Sequence, residues 1–186
     1  MTADAPRWSP VAPADRPRKT RRAVRVILSD EAGRVLLFQD SDPGLDPADP
    51  AARWWMTPGG GIDSEETLSQ TAVRELREET GLVLAEDELV GPIARRTVRH
   101  GYSDQITEQT EWFFLVTVPH FVLDLGGHTE DEQLTVLRHH WWDVSALGAT
   151  RETVWPTDIL AVQALGDRPD RWPVDLGTVE ESSVPL

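Results

Sequence analysis

The stretch Gly60-Gly61-Ile62-Asp63-Ser64-Glu65-Glu66-Thr67-Leu68-Ser69-Gln70-Thr71-Ala72-Val73-Arg74-Glu75-Leu76-Arg77-Glu78-Glu79-Thr80-Gly81-Leu82 carries the strongest local signal in the chain. Leu68, Ala72 and Leu76 recur at four-residue spacing, an apolar stripe that predicts a helix from about Ser64 to Thr80. Asp63 and Glu66 fit a capping box at its start, and Gly81 sits where a helix-ending glycine belongs. Glu75, Glu78 and Glu79 fall at i, i+3 and i+4, on one face of that helix. Like charges this close cost a few tenths of a kcal/mol per adjacent pair. Arg74 and Arg77 offset part of that cost, and a divalent cation would offset more. Hard cations take oxygen ligands and leave part of their shell to water and substrate phosphate. A carboxylate cluster on a rigid helix beside a glycine turn therefore suits metal-assisted attack on phosphorus.

Outward from the helix, the pattern is mostly strand. Ala23 to Leu28 and Val35 to Phe38 are β-rich runs, and Ser29-Asp30-Glu31-Ala32-Gly33 between them reads as the turn of a hairpin. Residues 41–52 hold too much Pro, Asp and Gly for regular structure. Arg53 to Thr57 is a short strand ended by Pro58. Gly91 to Val98 and Glu108 to Val118 are strands joined by a turn at Gly101-Tyr102-Ser103-Asp104. The loop Gly126 to Glu132 precedes a last strand, His139 to Asp143, and Thr157 to Leu165 forms a second helix. Strands outnumber helices and do not alternate with them. The expected class is α+β, a mixed β-sheet packed against helices. The expected organisation is a tail over residues 1–19, a domain over 20–166 and an irregular tail over 167–186.

Composition narrows the chemistry. The chain of 186 residues has no cysteine, which excludes disulfides, thiolate metal sites and a cysteine nucleophile, and fits a reducing cytoplasm. Neither a secretory signal nor a run of the roughly 18 apolar residues of a membrane span is visible. The net charge of −14 repels nucleic acid and anionic lipid. It also repels a polyphosphate, so an enzyme acting on one needs cations or clustered arginines. Two basic groups stand out: Arg16, Arg18, Lys19, Arg21 and Arg22 near the start, and Arg95, Arg96, Arg99 and His100 in a strand. The first reads as a solvated face more readily than as a phosphate contact.

The helix segment resembles the Nudix box. Gly60 is followed after five residues by Glu66, after seven more by Arg74-Glu75-Leu76, then by Glu78-Glu79, Gly81 and Leu82, with every defined position matched. The surrounding strands resemble the Nudix α/β/α sandwich over roughly residues 20–165. The resemblance implies a hydrolase that binds divalent cations, Mg²⁺ or Mn²⁺, and cleaves a nucleoside diphosphate linked to another moiety. It marks Glu75 and Glu79 as principal metal ligands, with Glu78 as a third and the Gly60 carbonyl as a further ligand. Arg74 resembles the arginine that orients the glutamates, Glu66 its structural partner, and Gly81 the turn leaving the helix. The general base is either Glu75 or a glutamate outside the box, for which Glu132 is the preferred candidate. Many Nudix enzymes are dimers, so a homodimer is compatible with the resemblance.

Substrate contacts rest on weaker patterns. Arg95 and Arg99 share a strand face and have the forked donors that suit phosphate, while ion pairing with the surplus acids explains them equally well. Trp54, Trp55 and Tyr102 are candidates for stacking on a base, Trp55 foremost. His139 and His140 are adjacent in a strand, point to opposite faces and read as structural. Within the hydrolase class, a nucleotide sugar such as ADP-ribose and a nucleoside triphosphate stay equal. A catalytically silent module that senses a nucleotide and regulates a partner is the alternative, and the complete set of box glutamates speaks against it. An RNA-decapping enzyme would want a basic channel, which the acidic balance does not offer.

Overall fold

The computed structural model describes residues 9–186, so the first eight residues of the expected tail lie outside it. β1 (Arg18–Asp30) is the central strand. It turns into β2 (Val35–Ser41) as expected: the Asp30 carboxylate accepts the amides of Ala32 and Arg34 at 3.0 and 2.9 Å, and Gly33 takes the left-handed φ of 78° that closes the turn. β1 also pairs in parallel with β5 (Ile106–Val118) along its whole length, from Arg18 opposite Ile106 to Asp30 opposite Val118. β4 (Val90–Gly101) runs antiparallel to β5. β3 (Arg53–Met56) and β6 (Arg138–Trp142) both pair with β2, and β7 (Val154–Trp155) lies parallel to β3. The sheet is mixed, with the order β7-β3-β2-β1-β5-β4-β8, in which β8 is Val174–Glu180.

The outermost strand corrects one expectation. The segment after Gly166 is not wholly irregular: β8 (Val174–Glu180) joins β4 in parallel. The chain then continues along the end of β4, where Glu181 and Ser183 donate their amides to the carbonyls of Arg99 and Gly101. At the other end, Val11 donates its amide to the Ser103 carbonyl at 2.8 Å, so ordered contacts begin before residue 19.

Helix α1 (Leu68–Thr80) lies on one face of the sheet. Its cap differs from the expected Asp63–Glu66 box. Thr67 caps the helix through the Gln70 amide, and the Gln70 side chain returns the bond to Thr67. The helix therefore starts four residues after Ser64; the Glu66 carboxylate is held by Arg74 and Thr71 at 2.8–2.9 Å and meets the Asp63 amide only at 3.5 Å. Ala72 and Leu76 pack on Val24, Val26, Leu28, Phe114 and Val116. Truncating a fully buried Leu76 to Ala would cost about 2–5 kcal/mol. The opposite face is covered by α3 (Val144–Ala149) and α4 (Ile159–Gln163), whose Leu147, Ile159 and Val162 meet Ile27, Val35, Leu37, Trp55 and Phe113. The result is the expected α/β/α sandwich of the α+β class. The short α2 (Glu132–Thr135) leads into β6. Among the described residues no helix is long and apolar enough to cross a membrane.

Candidate active site

Glu75 and Glu79 stand one turn apart on α1, so their carboxylates share a face. The loop before β6 brings Glu132 to them. One carboxylate oxygen from each of Glu75, Glu79 and Glu132 lies within 4.8 Å of the others. Glu132 is held at the start of α2, where its Oε2 accepts the Thr129 amide at 2.7 Å and the Thr129 hydroxyl at 2.8 Å. Burial raises the Glu75 carboxyl above its ordinary pKa although Arg74 pulls it down. Burial, then the Glu75 charge, raises Glu79 well above its ordinary value. Three acidic groups crowded in this way suit a hard divalent cation, which needs oxygen donors and offsets their repulsion. The donor set fits Mg²⁺ or Mn²⁺.

Arg74 organises the helix side of this cluster. Its Nε and one terminal nitrogen grip Glu66 at 2.8 and 2.9 Å, and the remaining donors reach Glu75 Oε1 at 2.9 Å, Glu78 at 3.0 Å and the Gly61 carbonyl at 2.9 Å. The Arg74 contact holds the Glu66 carboxyl at about 2. The glycine turn supplies the other side. Gly59, at φ 131°, donates its amide to Glu79 Oε2 at 2.8 Å. Gly60 packs directly against Glu75: a Cβ there would come within 2.5 Å of Oε1. Gly81 ends α1 at φ 75° and donates to the Arg77 carbonyl.

Beside the carboxylates is a cleft of about 210 Å³, lined by Arg21, Arg25, Asp40, Trp54, Tyr102 and Glu132 among others. It shares Arg25, Asp40, Met56, Glu132 and Thr135 with a smaller cavity against Gly59 and Glu79. The two form one path from aromatic wall to carboxylates. Arg21 makes no hydrogen bond or ion pair among the described residues, which leaves a free guanidinium at the cleft wall.

Several expected site residues lie elsewhere. Glu78 is exposed and bound to Arg74 one turn earlier, which keeps it out of the three-carboxylate cluster. Gly60 by contrast stays at the cluster, against Glu75, and its carbonyl accepts the Val24 amide at 3.0 Å, a backbone bond that ties the turn to β1. Trp55 points away from the cleft, with Nε1 on Glu152 at 2.7 Å, and its neighbour Trp54 takes the cleft wall because adjacent strand residues face opposite sides. Arg95 and Arg99 share an exposed face of β4 but pair with Asp175 and Glu108, and neither lines the cleft. His139 and His140 make ring contacts with Phe38 and with Trp55 and Trp142.

Comparison with known proteins gives the family and the fold. The NUDIX domain family matches residues 19–165. The chain belongs to the Nudix family. The Nudix hydrolases it resembles include the dihydroneopterin triphosphate diphosphatase of Escherichia coli K12, 31% identical over 103 residues, which are 51% of this chain and 63% of that protein. The chain thus spans less than two thirds of that relative. An RNA pyrophosphohydrolase of Sphingopyxis alaskensis is 28% identical over 166 residues, 89% of this chain and 84% of that protein. A crystal structure of a MutT protein from Bacillus halodurans shares the fold, with a TM-score of 0.54 at 17% identity over 87% of this chain and 90% of that one. In this Nudix domain the box helix sits against the sheet where its glutamates meet Glu132.

Sequence reasoning missed Arg25, Gly59 and Glu111 in this Nudix site. Arg25 did leave a signal, as a lone charge inside the apolar strand run Ala23-Val24-Arg25-Val26-Ile27; Glu111 left less, since it stands between the polar stretch Glu108-Gln109-Thr110 and the apolar run Trp112-Phe113-Phe114. A charge in such a place is buried only when paired.

Proposed function

We propose that this Nudix enzyme hydrolyses a diphosphate bond in a small nucleoside triphosphate or related heterocycle triphosphate. The observation that carries the reading is the continuity of the three-carboxylate cluster with a cleft walled by Trp54, Tyr102 and Arg21. An aromatic wall suits a flat ring, and a free guanidinium suits phosphate. The triphosphate named for the Escherichia coli relative supports this class over a nucleotide sugar.

Glu75 and Glu79 hold Mg²⁺ or Mn²⁺ in this reading. A bound divalent cation would neutralise phosphate charge and lower the pKa of water there. Glu132, from outside the box, accepts the proton of the attacking water. Water adds its oxygen to phosphorus, the bridging P–O bond breaks, and two phosphate-bearing fragments leave. Arg74 and Glu66 hold Glu75 in place, and Arg21 contacts the polyphosphate. Glu78 stays at the rim with Arg74.

A second reading has a specific support. The Sphingopyxis alaskensis relative, which matches most of this chain, is named for action on RNA. A 5′-triphosphate end carries the same reacting group.

A phosphate-release panel separates these readings. It would hold nucleoside triphosphates, a pteridine triphosphate, ADP-ribose, dinucleoside polyphosphates and a 5′-triphosphate RNA, with Mg²⁺ or Mn²⁺ and with Glu79→Gln alongside. The expected result is metal-dependent release of pyrophosphate from a small triphosphate, lost in the variant. Preferred cleavage of the RNA would replace this reading with the second. Silence across the panel, with the protein folded, would favour a module that only senses a nucleotide.

A further inference from the structure

A row of buried charges runs from the segment after β8 to the metal-facing glutamate. Glu181 takes both terminal nitrogens of Arg96, at 2.8 and 2.6 Å. Arg96 Nε donates to Glu111 Oε2 at 2.7 Å, and Arg25 Nε donates to Glu111 Oε1 at 2.9 Å. Arg25 also donates, through a terminal nitrogen, to the Gly59 carbonyl at 3.0 Å. The Gly59 amide donates to Glu79 at 2.8 Å. Glu181, Arg96 and Glu111 are 4%, 3% and 1% exposed at their side chains, so each charge depends on its neighbours. Arg96 also lies over the Phe113 ring, and Glu181 accepts the Thr157 amide at 3.0 Å.

Alternation of sign makes the row a unit. Two arginines flank Glu111, and the outer one needs Glu181 to neutralise it. Without Glu181, Arg96 would compete with Arg25 for Glu111, and Arg25 would lose part of the contact that aims it at Gly59. Only a planar guanidinium can serve Glu111 and the Gly59 carbonyl together, since its donors are fixed in a fork. Gly59 lies close against β1, where a Cβ would come within 2.3 Å of the Val24 carbonyl, and the Pro58 and Gly60 carbonyls on either side accept the amides of Val26 and Val24.

We infer that the row Glu181–Arg96–Glu111–Arg25 positions the Gly59 amide on Glu79, so that Glu181, far outside the Nudix box, sets the geometry of the metal-binding carboxylates. Arg25 and Glu181 are positioning residues here, and the inference rests on Glu79 being a metal ligand.

The experiment compares Arg25→Lys, Glu181→Gln and Glu181→Asp with the wild type in the full chain. It reads kcat and KM, Mn²⁺ affinity by calorimetry, melting temperature, and the amide resonance of Gly59. Expected is a shifted Gly59 resonance and weaker Mn²⁺ binding in Arg25→Lys and Glu181→Gln. Their kcat should fall by about 10–100-fold with KM little changed, the size typical for groups that orient metal ligands. Glu181→Asp, which keeps the charge, should recover part of the loss. Should Glu181→Gln fail to fold, Glu181→Asp and Arg25→Lys carry the test. Folded variants with a wild-type Gly59 resonance and wild-type Mn²⁺ affinity would overturn the inference. Those two readouts need no turnover, so an inactive wild type would count against the proposed reaction and leave the row still tested.

Discussion

Arg74 and Glu66, eight residues apart, are joined by two parallel hydrogen bonds of 2.8 and 2.9 Å, while the same guanidinium also touches Glu75. The pair fixes the rotamer of the arginine that fixes the glutamate. Lysine at position 74 keeps the charge but cannot make the fork. Arg74→Lys should therefore fold, with kcat and metal affinity reduced by about 10–100-fold. Steady-state kinetics with a Mn²⁺ titration would check it, and unchanged metal affinity would remove Arg74 from its orienting role.

Glu79 and Glu132 have different duties in the proposed reaction, and their amide variants should part accordingly. Glu79→Gln weakens metal binding, so excess Mn²⁺ should restore some activity. Glu132→Gln leaves two ligands in place and removes the base, so kcat should fall by about 10²–10⁴-fold and extra metal should not help. Equal rescue of both variants by Mn²⁺ would make Glu132 a ligand rather than the base.

The two neighbouring glycines offer a contrast between fold and chemistry. A methyl at Gly60 meets the Glu75 carboxylate, the movable end of a side chain, at 2.5 Å. A methyl at Gly59 meets the Val24 carbonyl at 2.3 Å and must also accept φ 131°. Gly60→Ala should keep a near-normal melting temperature and lose activity as Glu75 is displaced. Gly59→Ala should lose stability first. Thermal melts beside kinetics distinguish the two, and an unstable Gly60→Ala would show that Glu75 has no room to yield.

The box helix was legible because its geometry is local. Spacing alone puts Glu75 and Glu79 on one face, Leu76 toward the sheet, and Gly81 at the end. The β1–β2 hairpin was legible for the same reason. What failed was long-range or depended on parity. Nothing local tells which of Trp54 and Trp55 faces the cleft, because their order on the two sides is set by how β3 pairs with β2. Nothing local gives Arg95 to Asp175, since β8 reaches β4 from eighty residues away. The Asp63–Glu66 cap satisfied the local pattern but survives only as a 3.5 Å contact from the Asp63 amide, because Arg74 offers Glu66 two shorter bonds from a full positive charge. Glu132 was within reach of sequence reasoning, as an acid in the loop before β6, but its approach to Glu75 comes from the fold.

His100 gives the chain a defined response to mild acid. The ring is 2% exposed on β4, between Tyr102 and Trp155. Its Nδ1 lies 2.7 Å from the Glu181 carbonyl, which can only accept, so Nδ1 carries the proton and Nε2 is bare and without a partner. Burial lowers the His100 pKa to about 4; Glu111 opposes the shift, and Arg25 and Arg96 add to it. A depressed histidine favours the neutral folded form. Its contribution is complete above the unfolded value near 6.5 and is lost as pH falls from there to about 4, on the order of 3 kcal/mol in all. Glu111 and Glu66, both held at about 2, act later, contributing above about 4.5 and failing below it. The His100 contribution should therefore be lost between pH 6.5 and 5, before the paired carboxylates titrate and against an opposing gain from Glu75 and Glu79, whose raised carboxyls take up protons first in the folded form. His100→Asn keeps a donor toward the Glu181 carbonyl and removes the titrating ring. Its denaturation midpoint should be flatter across that window, even if lower throughout. A variant with the wild-type slope from pH 6.5 to 5 would mean that other histidines carry the effect, such as His139, whose pKa is lowered by partial desolvation of its ring and by the nearby His128 and His140.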